Sequence, residues 1–421
     1  MKISVIGNGY VGTTLAIGLS HIGHDVIGYD KKENLVKELN SGNLPIYEKR
    51  LGEILKKQLK KSLKFTTDIK KIKESEIIFL AVGTPMDEKT GKANLKYIMN
   101  ALEDIAPYIN NKDIIITKST VPIGTNEKIK NKLNKLTDKK FYVASNPEFL
   151  REGSAWHDFL NQDRIVVGIN SKEPKKRIDK MYSYFKDKTT IMYTDINSAE
   201  MIKYASNSFL ATSISFINEM SRIAEKFNAN IDEVSYGMKL DKRIGKYAFL
   251  KAGIGYGGSC FPKDVNALYN QAKNNNIKTN LLESTLKVNK TQTDFFVEKI
   301  EKHFKNKEKV NLGILGLAFK EGTDDIRCSK AIEIINKLSD KFNIYAYDPK
   351  AIENTKKVLK NINYTTKEKI IKNCEGVVLA TPWDEFKDIN LEKIDVLFDG
   401  KNFFKKSEIK KYNLKYYAVG K

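Results

Sequence analysis

Residues 5–12, VIGNGYVG, restrict the fold of this chain more than any other stretch. An apolar strand pattern, KISVIG, runs into glycines at the spacing G-x-G-x-x-G, and a helical pattern, GTTLAIGLSHIG, follows. In that context Gly7 allows a tight turn, Gly9 lets the backbone approach a pyrophosphate, and Gly12 lets the helix pack closely on the strand. The helix N-terminus then faces the phosphates. The segment therefore predicts a dinucleotide-binding βαβ unit.

The second strand pattern, DVIGYD, ends at Asp30. A carboxylate at this place accepts hydrogen bonds from the adenosine ribose hydroxyls and repels a 2′-phosphate. Asp30 therefore favours NAD over NADP as the cofactor. The alternative is a glycine turn that serves packing alone, and Asp30 argues against it.

The order of the patterns predicts an α/β protein. Short apolar runs alternate with helical patterns up to about residue 195, helical patterns alone follow, and the alternation returns from about residue 309. We expect two Rossmann-like doubly wound parallel-sheet domains, joined by a helical middle segment with a long central helix. The predicted boundaries are 1–197, 198–303 and 304–421. The last domain lacks G-x-G-x-x-G and fits a different nucleotide.

The net charge of +21 raises the question of a nucleic-acid partner. Lysine is spread over the predicted helices and loops, and there is no arginine-rich stripe, so we expect solvated surface charge with some attraction for anionic substrates. No apolar run is long enough to span a bilayer, and the N-terminal segment lacks a cleavage site. These features predict a cytoplasmic protein with neither a nucleic-acid nor a membrane partner.

The chain has three cysteines, and the segment GIGYGGSCFPKD holds one of them, Cys260. The odd number and wide spacing argue against a disulfide framework, and the absence of C-x-x-C argues against a metal site. A helix N-terminus and Lys263 both favour a thiolate at Cys260. Beside NAD, a thiolate adds to an aldehyde, a hydride leaves, and water cleaves the resulting thioester. The alternative is a buried structural cysteine, which is our assignment for Cys328 and Cys374.

Several longer motifs occur in order along the chain. They are GNGYVG, VGTP, KSTVPIGT, NPEFLREG, KYASNSFLATSISFINE, DKRIGKYAFLKAGIGYGGSCFPKD, GLAFKEGTDDIRCS and YDP. In these the sequence resembles the nucleotide-sugar 6-dehydrogenases of the UDP-glucose/GDP-mannose dehydrogenase family over essentially its full length. The resemblance implies oxidation of a sugar C6 alcohol to a carboxylate with two NAD per sugar, and a homodimer formed through the central helices.

The resemblance also implies catalytic roles. Cys260 is the expected nucleophile. Lys203 and Asn207, four residues apart on one predicted helix, would stabilise an oxyanion. Asp264 and Thr120 would position a water, and one of them or Glu152 would assist proton transfer. Glu148 and Glu152 would flank the sugar, and the general base of each step is left open.

Binding residues follow from the same motifs. The expected cofactor-binding residues are Gly7, Gly9, Tyr10, Val11, Gly12, Asp30, Thr84, Thr120, Glu152, Lys263 and Arg327. The expected substrate-binding residues are Glu148, Phe149, Leu150, Arg151, Glu152, Lys203, Asn207, Arg243, Phe249, Leu250, Lys251, Ala252, Gly253, Gly257 and Lys320. Arg243 is expected to reach the active site of the partner subunit.

Three functions remain open on the sequence alone. The element DKRIGKYAFLKAGIGYGGSCFPKD favours UDP-glucose, and the runner-up is the same chemistry on GDP-mannose or a UDP-N-acetylhexosamine. A non-catalytic NAD-binding protein that holds an acidic polymer is the third, and the presence of Cys260, Lys203, Asn207 and Asp264 argues against it. A simple alcohol dehydrogenase is disfavoured because it would need no thiol.

Overall fold

The computed structural model describes residues 1–87 and 90–421, which divide into two compact units, Met1–Ser206 and Asn207–Lys421. Among the described residues the first unit has an eight-stranded sheet, in the order β3-β2-β1-β4-β5-β6-β7-β8. Its strands are β1 (Lys2–Ile6), β2 (Asp25–Tyr29), β3 (Leu63–Thr66), β4 (Ile77–Leu80), β5 (Ile114–Thr117), β6 (Tyr142–Ser145), β7 (Arg164–Ile169) and β8 (Thr190–Thr194). Neighbouring strands are parallel except β6 and β7, which pair antiparallel.

Helices connect these strands. They are α1 (Tyr10–His21), α2 (Glu33–Asn40), α3 (Leu51–Leu59), α4 (Lys96–Ile105), α5 (Thr125–Leu136), α6 (Ala155–Leu160), α7 (Lys175–Met181) and the first part of α8 (Ile196–Lys226). Short 3₁₀ segments are Ile69–Glu74, Ala106–Tyr108 and Ser183–Phe185. The boundary between the two units falls within α8.

The central strands of the first unit are buried on both faces. In β4, Ile77 and Phe79 belong to one hydrophobic cluster, while Ile78 and Leu80 belong to another. Successive side chains of a strand point to opposite faces. Helices cover both faces of such a sheet, so its strands are continuously apolar.

The second unit holds a six-stranded parallel sheet, in the order β11-β10-β9-β12-β13-β14. Its strands are β9 (Asn311–Leu315), β10 (Asn343–Tyr347), β11 (Asn363–Tyr364), β12 (Gly376–Leu379), β13 (Val396–Asp399) and β14 (Lys415–Ala418). Before the sheet come the rest of α8, then α9 (Ile231–Leu240), α10 (Phe261–Asn274) and α11 (Asn280–His303). Within it lie α12 (Lys330–Leu338), α13 (Ile352–Lys356), α14 (Lys367–Asn373), α15 (Lys406–Ile409) and the 3₁₀ segments Asp384–Phe386 and Leu391–Lys393.

The predicted fold class is confirmed. Two parallel-sheet α/β arrangements are present, with the long helix α8 between the two sheets in sequence. Both sheets contain the Rossmann strand order 3-2-1-4-5-6. The antiparallel pairing of β6 with β7 and the addition of β8 were not predicted.

Asp348 stabilises the sheet of the second unit by a set of hydrogen bonds. It follows β10, and only 1% of its surface is exposed. Its carboxylate accepts the indole N–H of Trp383 and four backbone N–H groups, those of Leu317, Ala318, Lys350 and Ala351. Removing a buried acceptor leaves such donors unsatisfied, and each costs about 1–3 kcal/mol.

We therefore predict that Asp348→Ala lowers the free energy of unfolding of this unit by about 3 kcal/mol or more. Urea denaturation followed by tryptophan fluorescence and circular dichroism measures the change. The exposed Asp340→Ala is the matched control, and its effect should stay within about 0.5 kcal/mol. Equal stabilities of the two variants would show that the Asp348 hydrogen bonds contribute nothing.

Candidate active site

The glycine turn after β1 has the geometry that the sequence predicts. Gly7 has a φ of +89°, and a Cβ atom on Gly12 would lie 1.8 Å from the Gly7 carbonyl oxygen. A Cβ atom on Gly9, in contrast, would meet no atom within 4 Å among the described residues. Gly7 and Gly12 are thus required by the turn and by the packing of α1, whereas Gly9 borders open space. That space fits a pyrophosphate at the N-terminus of α1.

Asp30 lies at the carboxyl end of β2, next to the same turn. Its carboxylate accepts the backbone N–H of Asn8 at 2.8 Å and that of Lys32 at 3.0 Å. These bonds fix the carboxylate beside the glycine turn. A fixed carboxylate at this place suits the ribose hydroxyls of an adenosine.

Tyr10 connects the glycine turn to the loop that follows β6. Its hydroxyl accepts the backbone N–H of Gly153 at 2.9 Å and donates a short hydrogen bond to the buried carboxylate of Glu48. Burial and the Glu48 carboxylate raise the pKa of Tyr10, so the phenol stays protonated. The Tyr10 side chain thus has protein partners, and its predicted cofactor contact, like that of Val11, stays a prediction.

Thr84 and Thr120 lie on the loops that follow β4 and β5. The Thr84 hydroxyl donates to the backbone carbonyl of Thr120 at 2.8 Å. The structure therefore brings together these two predicted cofactor-binding residues. Residues 88 and 89 lie outside the described part of the same region, and none of the predicted site residues falls on them.

The loop after β6 carries Glu148, whose side chain is buried together with that of Lys203 on α8. Lys203 Nζ lies 3.3 Å from Glu148 Oε1, and Glu148 Oε2 accepts the backbone N–H of Leu150 at 2.5 Å. Lys203 Nζ also lies 5.2 Å from the centre of the Phe149 ring, and the Arg164 guanidinium lies 3.9 Å from the same ring. Lys203 thus contacts the Glu148 carboxylate, and both Lys203 and Arg164 lie near the Phe149 ring. Such positive charge suits the stabilisation of a developing oxyanion.

Three further residues of this loop, Leu150, Arg151 and Glu152, were predicted to contact substrate. Arg151 pairs with the Asp158 carboxylate at 2.6 Å. Burial raises the pKa of Asp158, but the hydrogen bonds and charge of Arg151 outweigh burial and hold that pKa below its usual range. Leu150 packs against the hydrophobic core of the first unit. Glu152, on the same loop, raises the pKa of Tyr10, as a smaller contribution than Glu48.

Cys260 precedes the first residue of α10, at the N-cap position. Pro262 lies in the first turn of that helix, where its missing N–H is tolerated. The thiol is half-buried, and the Ser259 hydroxyl lies 3.6 Å from its sulfur. The predicted placement of the cysteine at a helix N-terminus is therefore present in the structure. Such a position favours a thiolate.

Asp264 lies one helical turn after Cys260 and is buried. The Asn207 side-chain amide donates to Asp264 Oδ2 at 2.6 Å, and the Lys263 ammonium forms a short ion pair with the other carboxylate oxygen. The Asp264 backbone N–H donates to the Cys260 carbonyl at 2.8 Å. The second unit thus brings Asn207, Lys263 and Asp264 together at the start of α10.

The glycine-rich segment before Cys260 lies against its own chain. A Cβ atom on Gly257 would lie 2.1 Å from the Cys328 carbonyl oxygen, so glycine is required there. The backbone N–H of Gly253 donates to the Asn218 side chain at 2.8 Å. Leu250 and Ala252 belong to the hydrophobic core of the second unit, whereas Phe249 and Lys251 are exposed. At Gly257, therefore, the glycine lets the backbone lie close to the loop that contains Cys328.

Three cations of the second unit were predicted to contact cofactor, substrate or a partner subunit; Arg243 and Arg327 are exposed, and Lys320 is half-buried. Arg243 pairs with Asp241, and Arg327 pairs with Asp325, each aspartate two residues before its arginine. Lys320 Nζ lies 5.7 Å from the centre of the Phe319 ring. Their predicted contacts with cofactor, substrate or a partner subunit stay predictions.

The other two cysteines differ. Cys374 packs against the core of the second unit, and burial raises its pKa to about 12, which confirms a packing role. Cys328 is exposed and has a φ of +50°. The prediction of a packing role for Cys328 is wrong, because the residue lies in the loop that meets Gly257 rather than in a buried element.

The fold and the glycine turn define a dinucleotide-binding protein with a cysteine at a helix N-terminus. Residues 1–186 match the NAD binding domain, residues 197–291 the central domain, and residues 313–406 the UDP binding domain of the UDP-glucose/GDP-mannose dehydrogenase family. The chain belongs to this family, as the sequence motifs indicate. The match also confirms NAD as the cofactor.

Relatives and solved structures agree with this placement. The chain is 42% identical over 439 residues to UDP-glucose 6-dehydrogenase of Rickettsia bellii, covering 100% of this chain and 99% of that protein. The structure of a UDP-glucose dehydrogenase from Pyrobaculum islandicum superposes with a TM-score of 0.94 at 33% identity, covering 100% and 97% of the two chains. A UDP-D-ManNAc dehydrogenase from Pyrococcus horikoshii gives 0.87 at 27% identity, covering 100% and 99%. Among the described residues, every helix is too short or too polar to cross a membrane.

The glycine geometry predicts different outcomes for two alanine variants. Gly9→Ala should fold normally, because its Cβ meets no protein atom, but should weaken NAD binding by about tenfold or more, because the methyl group occupies the space open to the pyrophosphate. Gly12→Ala should lose both stability and binding, because its Cβ overlaps the Gly7 carbonyl. Calorimetric titration with NAD and thermal melts of both variants measure this. Normal NAD affinity in Gly9→Ala would contradict the assignment of the site.

Proposed function

We propose that the protein oxidises UDP-glucose at C6 to UDP-glucuronate, with NAD as the oxidant. The observation that carries this proposal is the full-length identity of 42–43% to several relatives named UDP-glucose 6-dehydrogenase. The buried Lys203–Glu148 and Asn207–Asp264 contacts support it, because they supply the charge and hydrogen bonds that such a reaction needs.

The same chemistry on another sugar nucleotide, GDP-mannose or a UDP-N-acetylhexosamine, is the second candidate. The similarity to the UDP-D-ManNAc dehydrogenase structure favours it, although at a lower identity of 27%. A direct comparison of substrates separates the two candidates, since the mechanism is common to both.

The proposed reaction consists of two oxidations. NAD, when bound, accepts a hydride from the sugar C6 in each. The first oxidation converts the alcohol to an aldehyde, to which the Cys260 thiolate adds. The second converts this adduct to a thioester, which a water molecule cleaves to the carboxylate and the free thiol. Overall, one alcohol, two NAD⁺ and one water give one carboxylate, two NADH and three protons.

The catalytic roles follow from the chemistry of each side chain. The N-terminus of α10 stabilises the Cys260 thiolate. Lys203 and Asn207 stabilise the oxyanion that develops at C6. Asp264 and Thr120 position the water, and one of them or Glu152 assists proton transfer. Glu148 and Glu152 flank the sugar. The buried state of Glu148, Lys203, Asn207 and Asp264 supports these roles, because charges act most strongly away from water.

The remaining predicted residues are assigned to binding, and the three domain matches support the assignment. Residues 1–197 are proposed to bind NAD and residues 304–421 to bind the UDP moiety, with residues 198–303 between them. Arg327 and Lys263 are proposed to contact NAD. The segment 249–253, Gly257 and Lys320 are proposed to contact the sugar nucleotide.

The stoichiometry of the reaction tests the covalent mechanism. With limiting UDP-glucose, the wild-type protein should form about two NADH per sugar, because the thioester route requires two hydride transfers. Cys260→Ser should abolish UDP-glucuronate formation, measured by chromatography of the products. Cys328→Ser, which removes an exposed thiol in the same unit, is the matched control and should keep the stoichiometry. A near wild-type rate in Cys260→Ser would overturn the thioester, and turnover of GDP-mannose or UDP-N-acetylmannosamine alone would overturn only the substrate.

We also propose a homodimer formed through α8. Phe209, Phe216, Ile223 and Phe227 are all exposed and recur at intervals of seven, seven and four residues. This spacing places Phe209, Phe216 and Ile223 in one stripe along α8, and Phe227 directly follows the last residue of that helix. An exposed apolar stripe of this kind is typical of an interface, and a second copy of the chain is the occupant that the family resemblance implies. Arg243 is then proposed to contribute to the partner's active site.

The mass in solution tests the dimer. The wild-type protein should elute at about twice the chain mass of 48.0 kDa in light scattering coupled to size exclusion. Phe209→Glu with Ile223→Glu should give a monomer, because the stripe then carries two charges that cannot be buried unpaired. Tyr97→Glu, which replaces an exposed aromatic residue of α4, is the control and should leave the mass unchanged. A wild-type monomer, or a dimer that survives the double substitution, would overturn the assignment of this stripe.

A further inference from the structure

Lys118 is a buried cation that the sequence analysis did not single out. It directly follows β5, two residues before Thr120, and only 5% of its surface is exposed. Its Nζ donates to the side-chain oxygen of Asn146 at 2.9 Å. The ammonium is therefore hydrogen-bonded to a neutral amide oxygen rather than to a carboxylate, which is an expensive arrangement for a buried charge.

Asn146 is the first residue of the loop that carries Glu148. Its side-chain oxygen also accepts the Tyr182 hydroxyl at 2.5 Å, and its side-chain N–H donates to the Val166 carbonyl at 2.7 Å. Its backbone N–H donates to the Thr117 carbonyl at 2.9 Å. Lys118 and Tyr182 thus both donate to the side-chain oxygen of Asn146, whose side-chain and backbone N–H groups are also hydrogen-bonded. These bonds fix the first residue of the loop that carries Glu148.

Charged groups surround Lys118 unequally. The Glu148 carboxylate and the Lys203 ammonium both act on it, so two lysines face one carboxylate, and the Tyr182 phenol reaches it through Asn146. Burial lowers the pKa of Lys118 to about 8; Glu148 opposes this, and Lys203 adds to it. Burial raises the pKa of Tyr182, so that phenol stays neutral.

We propose that Lys118 is a positioning residue for the oxidation: it holds Asn146 at the start of the Glu148 loop and adds a second positive charge beside the Lys203–Glu148 pair. The proposal rests on the function proposed above for Lys203 and Glu148. The second charge strengthens the stabilisation of an oxyanion near Lys203 as long as Lys118 is protonated. Above about pH 8 the side chain is neutral, and only the anchoring of Asn146 remains.

The kinetic test compares kcat of Lys118→Met with that of the wild type between pH 6.5 and 9.5. We expect kcat of the variant to be about tenfold lower than wild type below pH 8, as loss of a stabilising charge predicts. Above pH 9, where the wild-type lysine has lost its charge, the deficit should shrink to the part caused by the lost hydrogen bond to Asn146. Lys118→Arg, which stays charged, should remove this pH dependence. Tyr182→Phe removes the other donor to Asn146 without removing a charge, so its ratio to wild type should not vary with pH.

Thermal melts without substrate give a second readout. A lysine whose pKa falls from 10.5 to about 8 on folding destabilises the folded protein fully below pH 8, and this effect disappears as the pH rises towards 10.5. The Tm of Lys118→Met minus that of wild type should therefore be higher at pH 7 than at pH 10. The difference for Tyr182→Phe should not change in this range.

The two readouts separate the possible failures. A pH-independent kcat ratio for Lys118→Met overturns the proposal, whether or not the Tm difference varies. A Tm difference that does not vary with pH shows that folding leaves the pKa of Lys118 unshifted, which contradicts a buried charge at this position and overturns the proposal as well. If the wild type oxidises none of the three sugar nucleotides, the proposed function fails, and the Tm comparison alone decides whether the buried charge exists.

Discussion

Parallel strand pairing determines where the site residues of the first unit lie. The strands β1, β2, β4, β5 and β6 are parallel, so their carboxyl ends meet at one edge of the sheet. Each of these ends is followed by predicted site residues: the glycine turn, Asp30, Thr84, Thr120 and the loop 148–152. The next strand, β7, runs the opposite way and contributes none. The strand order thus places the predicted site residues of this unit at one edge, and Lys203, on α8, joins them through its contact with Glu148.

Both sheets have a glycine turn after the first strand and an aspartate after the second strand, but the two aspartates have different partners. Gly7 donates its N–H to Tyr29 in the first unit, and Gly316 donates to Tyr347 in the second, both at 2.8 Å and both with positive φ. Asp30 follows β2 in the first unit, and Asp348 follows β10 in the second. Asp30 accepts two backbone N–H groups and keeps partial exposure, whereas Asp348 is buried by five donors. The carboxylate of the second aspartate is therefore occupied by protein donors and serves the stability of its unit.

The sequence predicts the buried centre of the fold better than its margins. Strands such as β4 and β5 are continuously apolar because helices cover both faces, and they were recognised. The strands β3, β8, β11 and β14 lie at the sheet edges, and their short sequences, LKFT, TIMYT, NY and KYYA, carry polar residues among the apolar ones, so they were not recognised as strands. Helix α9 was also missed, since its IDEVSYGMKL pattern includes an interior glycine and a β-branched residue.

Buried charge was the least predictable part of the site. Cys260 and Asp264 were recognisable because both lie in one short motif, but the pairing of Glu148 with Lys203 joins a loop to a distant helix. Lys118 follows an apolar strand, where a lysine usually marks the return to solvent; here it stays inside because the Asn146 side-chain oxygen accepts a hydrogen bond from its ammonium. Breaking such a buried contact by removing one partner leaves an uncompensated charge, which costs about 3–5 kcal/mol. The charges are therefore held in fixed positions before any substrate binds, and fixed charge that needs no reorganisation is what an oxyanion-forming reaction requires.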